Sequence, residues 1–175
     1  MDLRRPYPPF PYDLLPPAPA FELVSRDITE GQSLDPMHSA DGQGLSPHLA
    51  WAGFPAATKV FAVSCFDPDA PTPAGYWHWT VVNLPITCTS LPRGFGNGEQ
   101  PLEAGVARVG NDGGTLGFVG AAPPAGDHAH RYVFAVHALD DALDIADGAI
   151  SCTPAAFQML FHTLARATLT VTYQR

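Results

Sequence analysis

Phe66-Asp-Pro-Asp-Ala-Pro-Thr-Pro-Ala-Gly-Tyr-Trp-His-Trp-Thr-Val-Val-Asn83 decides the reading of this chain. It joins two apolar runs through a loop stiffened by prolines. The run before it, Lys59 to Phe66, is apolar at successive positions, the pattern of a strand covered on both faces. Trp77 to Leu84 reads as a further strand, and Asp67 and Asp69 fall at the end of the first. Further along, Gly120-Ala-Ala-Pro-Pro-Ala-Gly-Asp-His-Ala-His-Arg-Tyr-Val-Phe134 repeats the device: a Pro/Gly turn leads to His130, Arg131 and Tyr132 at the head of a strand over Arg131 to Leu139. Carboxylates, imidazoles and a phenol at strand ends beside such loops are the materials of a small polar-ligand pocket.

Outward from this centre the chain continues as short strands. Phe21 begins a strand-like segment, and glycine-rich turns separate weaker candidates at Gly105–Val109 and Thr115–Val119. One helix is expected over Pro154–Ala167, capped by Thr153, with Phe157, Leu160, Phe161 and Leu164 on one face. Thr168–Tyr173 reverts to β-branched alternation and reads as a last strand. A short helix or turn is an open reading for Asp140–Asp147. Residues 1–20 hold seven prolines and no periodic pattern, so they read as an extended arm preceding a single domain at 21–175. Two readings of the arm stand: poorly ordered, or docked through Tyr7, Phe10 and Tyr12 onto the body or a second subunit. The whole is expected to be mainly β, an antiparallel sandwich with one C-terminal helix.

These pieces resemble the phosphatidylethanolamine-binding protein (PEBP) family, also called Raf-kinase-inhibitor-like proteins, in its bacterial branch. The resemblance rests on Asp67-Pro-Asp-Ala-Pro71, His78 ahead of Val81-Val82-Asn83, Gly120 with Pro123-Pro124, His130-Arg131-Tyr132, and Ser46-Pro47 followed by Leu49 and Trp51. It covers residues 20 to 175 in order. It implies a Greek-key sandwich, binding of a phosphate or a phosphorylated small molecule or phospholipid headgroup, and a kinase or protease as a partner regulated through the pocket. Family habit and the apolar arm favour a homodimer. Phe118, where relatives often carry tyrosine, and Ala121-Ala122, where many bacterial relatives carry proline and cysteine, depart from the pattern and alter pocket polarity.

By that resemblance the ligand-binding set is Asp67, His78, Ala122, Pro123, Pro124, His130 and Tyr132. Asp69, Pro71, Arg131 and Gly120 are the structural residues around it, with Asp69 bound to Arg131. Period-two alternation puts His130 and Tyr132 on one face, and puts His78 with Thr80 and Val82, opposite Trp77 and Trp79. In such a site the histidines and the tyrosine donate to an anion while a carboxylate keeps one imidazole charged. One X-Pro bond in Asp67–Pro71, that before Pro71, is expected to be cis. His38, His48, His128, His137 and His162 lack this context and read as structural or exposed.

Composition bounds the alternatives. The net charge is −8, with Lys59 as the single lysine beside eight arginines, so no basic stripe exists for nucleic acid or an anionic membrane. Cys65, Cys88 and Cys152 form neither a disulfide framework nor a CxxC zinc motif, and no metal or cofactor is expected. No leader-like or spanning apolar segment appears, which makes the cytoplasm the default compartment. No Gly-x-Ser-x-Gly nucleophile is present, so a binding protein is favoured over an enzyme. The competing readings are an Asp/His acid–base hydrolase or isomerase, and a protease inhibitor acting through an exposed loop.

Overall fold

The computed structural model describes residues 3–98 and 102–175; Met1 and Asp2 of the arm lie outside them. Among the described residues eight strands build two antiparallel sheets. Strands β1 (Glu22–Val24), β2 (Leu49–Ala52) and β5 (Ser90–Leu91) form the small sheet in the order β1-β2-β5. The large sheet has the order β6-β4-β3-β7-β8, from β3 (Val60–Asp67), β4 (Tyr76–Pro85), β6 (Ala107–Arg108), β7 (His130–Leu139) and β8 (Thr163–Tyr173). The chain is therefore mainly β, a sandwich with one α-helix, α1 (Cys152–Leu160).

The large sheet is buried on both faces, which is why β3 carries an almost unbroken apolar run. One face, with Phe61, Val63, Cys65, Phe134 and Val136, packs on Leu49, Trp51 and Leu91 of the small sheet. The other, with Ala62, Val82 and Leu139, packs on α1 through Cys152, Ala155 and Met159. Small residues at two of these helix positions let α1 lie close to the sheet. The helical face expected from the sequence is thus corrected: Phe157 and Phe161 point outward, 64% and 68% exposed. The helix also ends at Leu160 instead of Ala167 and starts after Ser151, not Thr153. Thr163 to Ala167 pair instead with Leu139 to Val136 of β7, and β-branched Thr163 suits that strand better than a helix.

Two further expectations fail for visible reasons. Thr115–Val119 forms no strand, because the Asn111 side chain accepts from Gly113 and Thr115 and donates to Gly117, holding the segment as a turn. Asp140–Asp147 forms no helix, because the Asn83 amide both donates to and accepts from Leu143 at 2.8 Å and fixes the segment as an irregular strap.

The arm, which forms one 3-10 turn at Pro11–Leu14, is laid on the body. Arg131 donates to the Pro8 carbonyl at 2.8 Å, and the Arg166 amide to the Pro19 carbonyl at 2.9 Å. The Tyr7 ring meets His128 edge-on at 4.4 Å, and the Tyr12 hydroxyl lies 3.3 Å from His137 Nε2.

Gly120 sits where two backbones touch: a Cβ there would lie 2.6 Å from Ala40 N and Ser39 C. Those atoms belong to main chain bonded to Ala121 and cannot move aside cheaply. Gly120→Ala should therefore cost about 1–3 kcal/mol in urea denaturation; an unchanged midpoint would show that the 39–40 segment yields freely.

Candidate functional site

The loop from Asp67 to Gly75 is closed by its own side chains. Asp67 Oδ1 accepts from the Asp69 amide at 2.8 Å, an Asx turn, and the Thr72 hydroxyl donates to the Gly75 carbonyl at 2.6 Å. Gly75 adopts φ +67°, and a Cβ there would strike the Phe66 ring and the Asp67 carbonyl. No cis peptide bond occurs among the described residues, so the bonds before Pro68 and Pro71 are both trans and the expected cis bond is corrected. The Asx turn makes the reversal without it.

Behind the loop Asp69 grips Arg131: its Oδ1 and Oδ2 accept from Nη2 and Nε at 2.7 and 2.8 Å, and Oδ2 also accepts the Arg131 amide at 2.8 Å. This bidentate pair ties the end of β3 to the start of β7.

His130, 1% exposed, is bonded through both ring nitrogens. Nδ1 lies 2.7 Å from Asp67 Oδ2 and Nε2 lies 3.0 Å from Asp127 Oδ2. Two carboxylate acceptors require two N–H donors, which is the imidazolium form, and the Arg5 Nη2 contact to Nε2 is longer at 3.4 Å. Burial pulls the His130 pKa down, but the hydrogen bonds and charges of Asp67 and Asp127 outweigh it, and the pKa is raised. Burial likewise opposes charge on Asp127, and its bonds to His130 and Arg5 overcome that and hold its pKa low. Arg5 of the arm donates to both Asp127 oxygens at 2.9 Å and reaches the Asp69 carbonyl. Three carboxylates, Asp67, Asp69 and Asp127, thus face three cations, Arg5, His130 and Arg131.

His78 is set differently. The ladder between β3 and β4 pairs Cys65 with Trp79 and Phe66 with Trp77, leaving His78 as the extra residue of a bulge. The bulge corrects the simple alternation. Trp77 packs on the helix side, Trp79 lies in the inter-sheet core, and His78 turns to meet Tyr132, ring centroids 5.1 Å apart. His78 Nδ1 donates to the Val119 carbonyl at 2.7 Å, which leaves Nε2 as the free ring nitrogen. Burial depresses its pKa, and the Val119 carbonyl and Asp67 only partly restore it.

These residues border a cavity of about 240 Å³ lined by Asp67, Ala70, Pro71, Thr72, Tyr76, His78, Val119, Ala122, Pro124, His130 and Tyr132. Tyr132 is 1% exposed; the Ala122 amide approaches its oxygen, and no acceptor among the described residues meets its hydroxyl proton. Burial and the Asp67 charge push that phenol's pKa up, so it stays a donor. Of the residues expected around a ligand, Asp67, His78, Ala122, Pro124, His130 and Tyr132 come together here, joined by Pro71. Pro123 is buried away from the cavity, Gly120 packs on residues 39–40, and Asp69 and Arg131 stand behind the wall.

The sequence reading missed Asp127, Arg5, Tyr76 and Val119. Asp127 sits in a Pro-Pro-Ala-Gly-Asp run that reads as turn chemistry, and only its i, i+3 spacing to His130 hinted at a partner. His128, expected to be structural or exposed, lies at the site's edge. Asp127, His128 and His130 offer three potential metal-ligand atoms within 4.8 Å of one another, although Arg5 and the His130 bonds already occupy the Asp127 oxygens.

Comparison with known proteins places the chain. The family model for phosphatidylethanolamine-binding protein matches residues 24–174. The UPF0098 protein YbhB of Escherichia coli K12 is 46% identical over 87% of this chain and 99% of its own. The crystal structure of E. coli YbcL, titled a new member of the mammalian PEBP family, superposes with a TM-score of 0.84. It is 40% identical and covers 89% of this chain and 98% of that one. The structure of the PEBP homologue CT736 from Chlamydia trachomatis superposes at 0.76 with 28% identity, covering 90% and 99%. With more than four-fifths of its length matched by the family model, and with the fold shared, the chain belongs to the phosphatidylethanolamine-binding protein family.

Proposed function

We propose that the protein is a binding protein for a small oxyanion, a phosphate or the phosphoryl group of a headgroup, held in the cavity by Tyr132 and His78. The observation that carries this reading is the Tyr132 hydroxyl, a buried donor whose proton meets no acceptor among the described residues, facing the cavity beside the free Nε2 of His78. A buried donor left unpaired costs about 1–3 kcal/mol, which a ligand oxygen would recover. The description of the family as phosphatidylethanolamine-binding agrees with such a ligand.

His130 takes a different part from the one the sequence suggested. Both its nitrogens are used by Asp67 and Asp127, so it holds the wall and gives nothing directly to the ligand. The same bonds withdraw His130 from acid–base catalysis, because an imidazolium clamped at both ends has no lone pair to act as a base. Cys65, the thiol nearest in sequence, is fully buried and its pKa is pushed well up by that burial. It is a poor nucleophile. Among the described residues no helix is long and apolar enough to cross a membrane.

Calorimetry with sulfate and phosphorylethanolamine tests the assignment. Tyr132→Phe and His78→Ala should each remove a bond to a charged group worth about 1.5–3 kcal/mol, or roughly ten- to a hundredfold in affinity. His162→Ala, whose ring pairs with Asp140 away from the cavity, should change little. Equal affinity in wild type and both pocket variants would refute the assignment.

The pH dependence has a definite sign. His78 has a depressed pKa and is neutral at neutral pH; an anion against Nε2 favours its protonated form, so binding takes up a proton. Sulfate affinity should therefore climb as pH falls from about 8 to about 5, most steeply below the ordinary histidine value of about 6.5. Sulfate is the suitable probe because a phosphomonoester changes its own charge near pH ~6. Affinity that is flat, or that falls on acidification while the protein stays folded, would remove His78 from the site.

A further inference from the structure

On the opposite face of the large sheet the arm and α1 enclose a second, larger cavity of about 510 Å³, within the range of small-molecule sites. Its walls are Tyr12 and Leu14 from the arm, Trp77 from β4, and Met159 and Leu160 from α1. Its one cationic wall residue is Arg166 of β8, which is only 9% exposed. The guanidinium lies 4.2 Å from the Tyr12 ring centroid, yet no acceptor meets any of its side-chain nitrogens among the described residues, and Nε is wholly buried. Asp13 borders the adjoining opening beside Arg166 without forming an ion pair. His137, also in the wall, does not supply the missing charge: burial, reinforced by the Arg166 charge, drops its pKa to about 3, so it is neutral.

An unpaired buried cation is costly, and its normal remedy is a carboxylate with matching fork geometry. No carboxylate among the described residues pairs with Arg166, while the rest of the wall is mostly apolar. We propose that this cavity is a second ligand site, for an apolar monocarboxylate of the fatty-acid type, with the carboxylate on Arg166 and the chain between the arm and α1. The charge and the apolar lining together select this class: an alcohol would leave Arg166 unpaired, and an inorganic anion would leave the apolar wall wet. The site is separate from the Tyr132 pocket, since Arg166 pairs in the ladder with His137 while Tyr132 points into the inter-sheet core.

Titration of the full chain with decanoate below its micellar range, with 1-decanol as the uncharged control, tests the proposal. Decanoate should bind saturably at one per chain, at least tenfold more tightly than decanol, and without competing with sulfate. Arg166→Gln should weaken it at least tenfold, and Ala156→Trp, which fills the cavity from α1, should abolish it; sulfate binding should persist in both. Absence of saturable binding, equal affinity for decanol, unchanged affinity in Arg166→Gln, or displacement by sulfate would each overturn it. Should Arg166→Gln fail to fold, the decanoate–decanol comparison and Ala156→Trp decide alone.

Discussion

The site depends on one buried imidazolium held between two carboxylates. His130 joins Asp67, at the end of β3, to Asp127, in the loop before β7, and Asp127 in turn anchors Arg5 of the arm. Each of these charges would be expensive alone inside the protein, and together they are tolerated because each has a partner of opposite sign at hydrogen-bond distance. The arrangement is cooperative in consequence: taking away any one member removes a charged partner from each of its neighbours. The linkage has a definite direction. The raised pKa of His130 gives stability that is complete below about pH 6.5 and is lost as pH rises through its folded value. The depressed pKa of Asp127 gives stability that is present above the ordinary carboxylate range and lost on acidification. The clamp is therefore strongest between those limits.

Two histidines of the same cavity are driven in opposite directions by what faces them. Carboxylates at both nitrogens keep His130 charged, whereas a single carbonyl leaves His78 to the effect of burial. The first becomes part of the scaffold and the second is left to respond to a ligand. Because Asp67, Asp69 and Asp127 balance His130, Arg131 and Arg5, the pocket holds little net charge of its own. Recognition then rests on where the Tyr132 hydroxyl and His78 Nε2 point, not on a general attraction for anions. The same economy is missing on the other side of the sheet, where Arg166 has no carboxylate. That contrast is what distinguishes the two cavities.

Much of this layout was legible in the chain. Strands β3, β4 and β7 announce themselves because a sheet covered on both faces needs apolar residues at successive positions, as at Phe61–Cys65 and Val133–Val136. The gathering of Asp67, His78, His130 and Tyr132 around one cavity was legible from strand ends beside Pro/Gly loops. The parts that were not legible depend on long-range partners. The helical period runs on through Phe161 and Leu164, and only pairing of Thr163–Ala167 with β7 stops it. The bulge that turns His78 into the pocket leaves no mark in a Trp-His-Trp sequence. Arg5 and Asp127 stand 122 positions apart, one in an arm without periodicity and one in a turn.

A proton-coupled nitrogen-15 NMR titration of the histidine side chains tests whether His130 is a clamped imidazolium. The His130 ring should show both nitrogens protonated at neutral pH, with its titration displaced above the ordinary value of about 6.5. A His130 ring that titrates at or below that value, or carries one proton at neutrality, would show that the two carboxylates do not clamp an imidazolium.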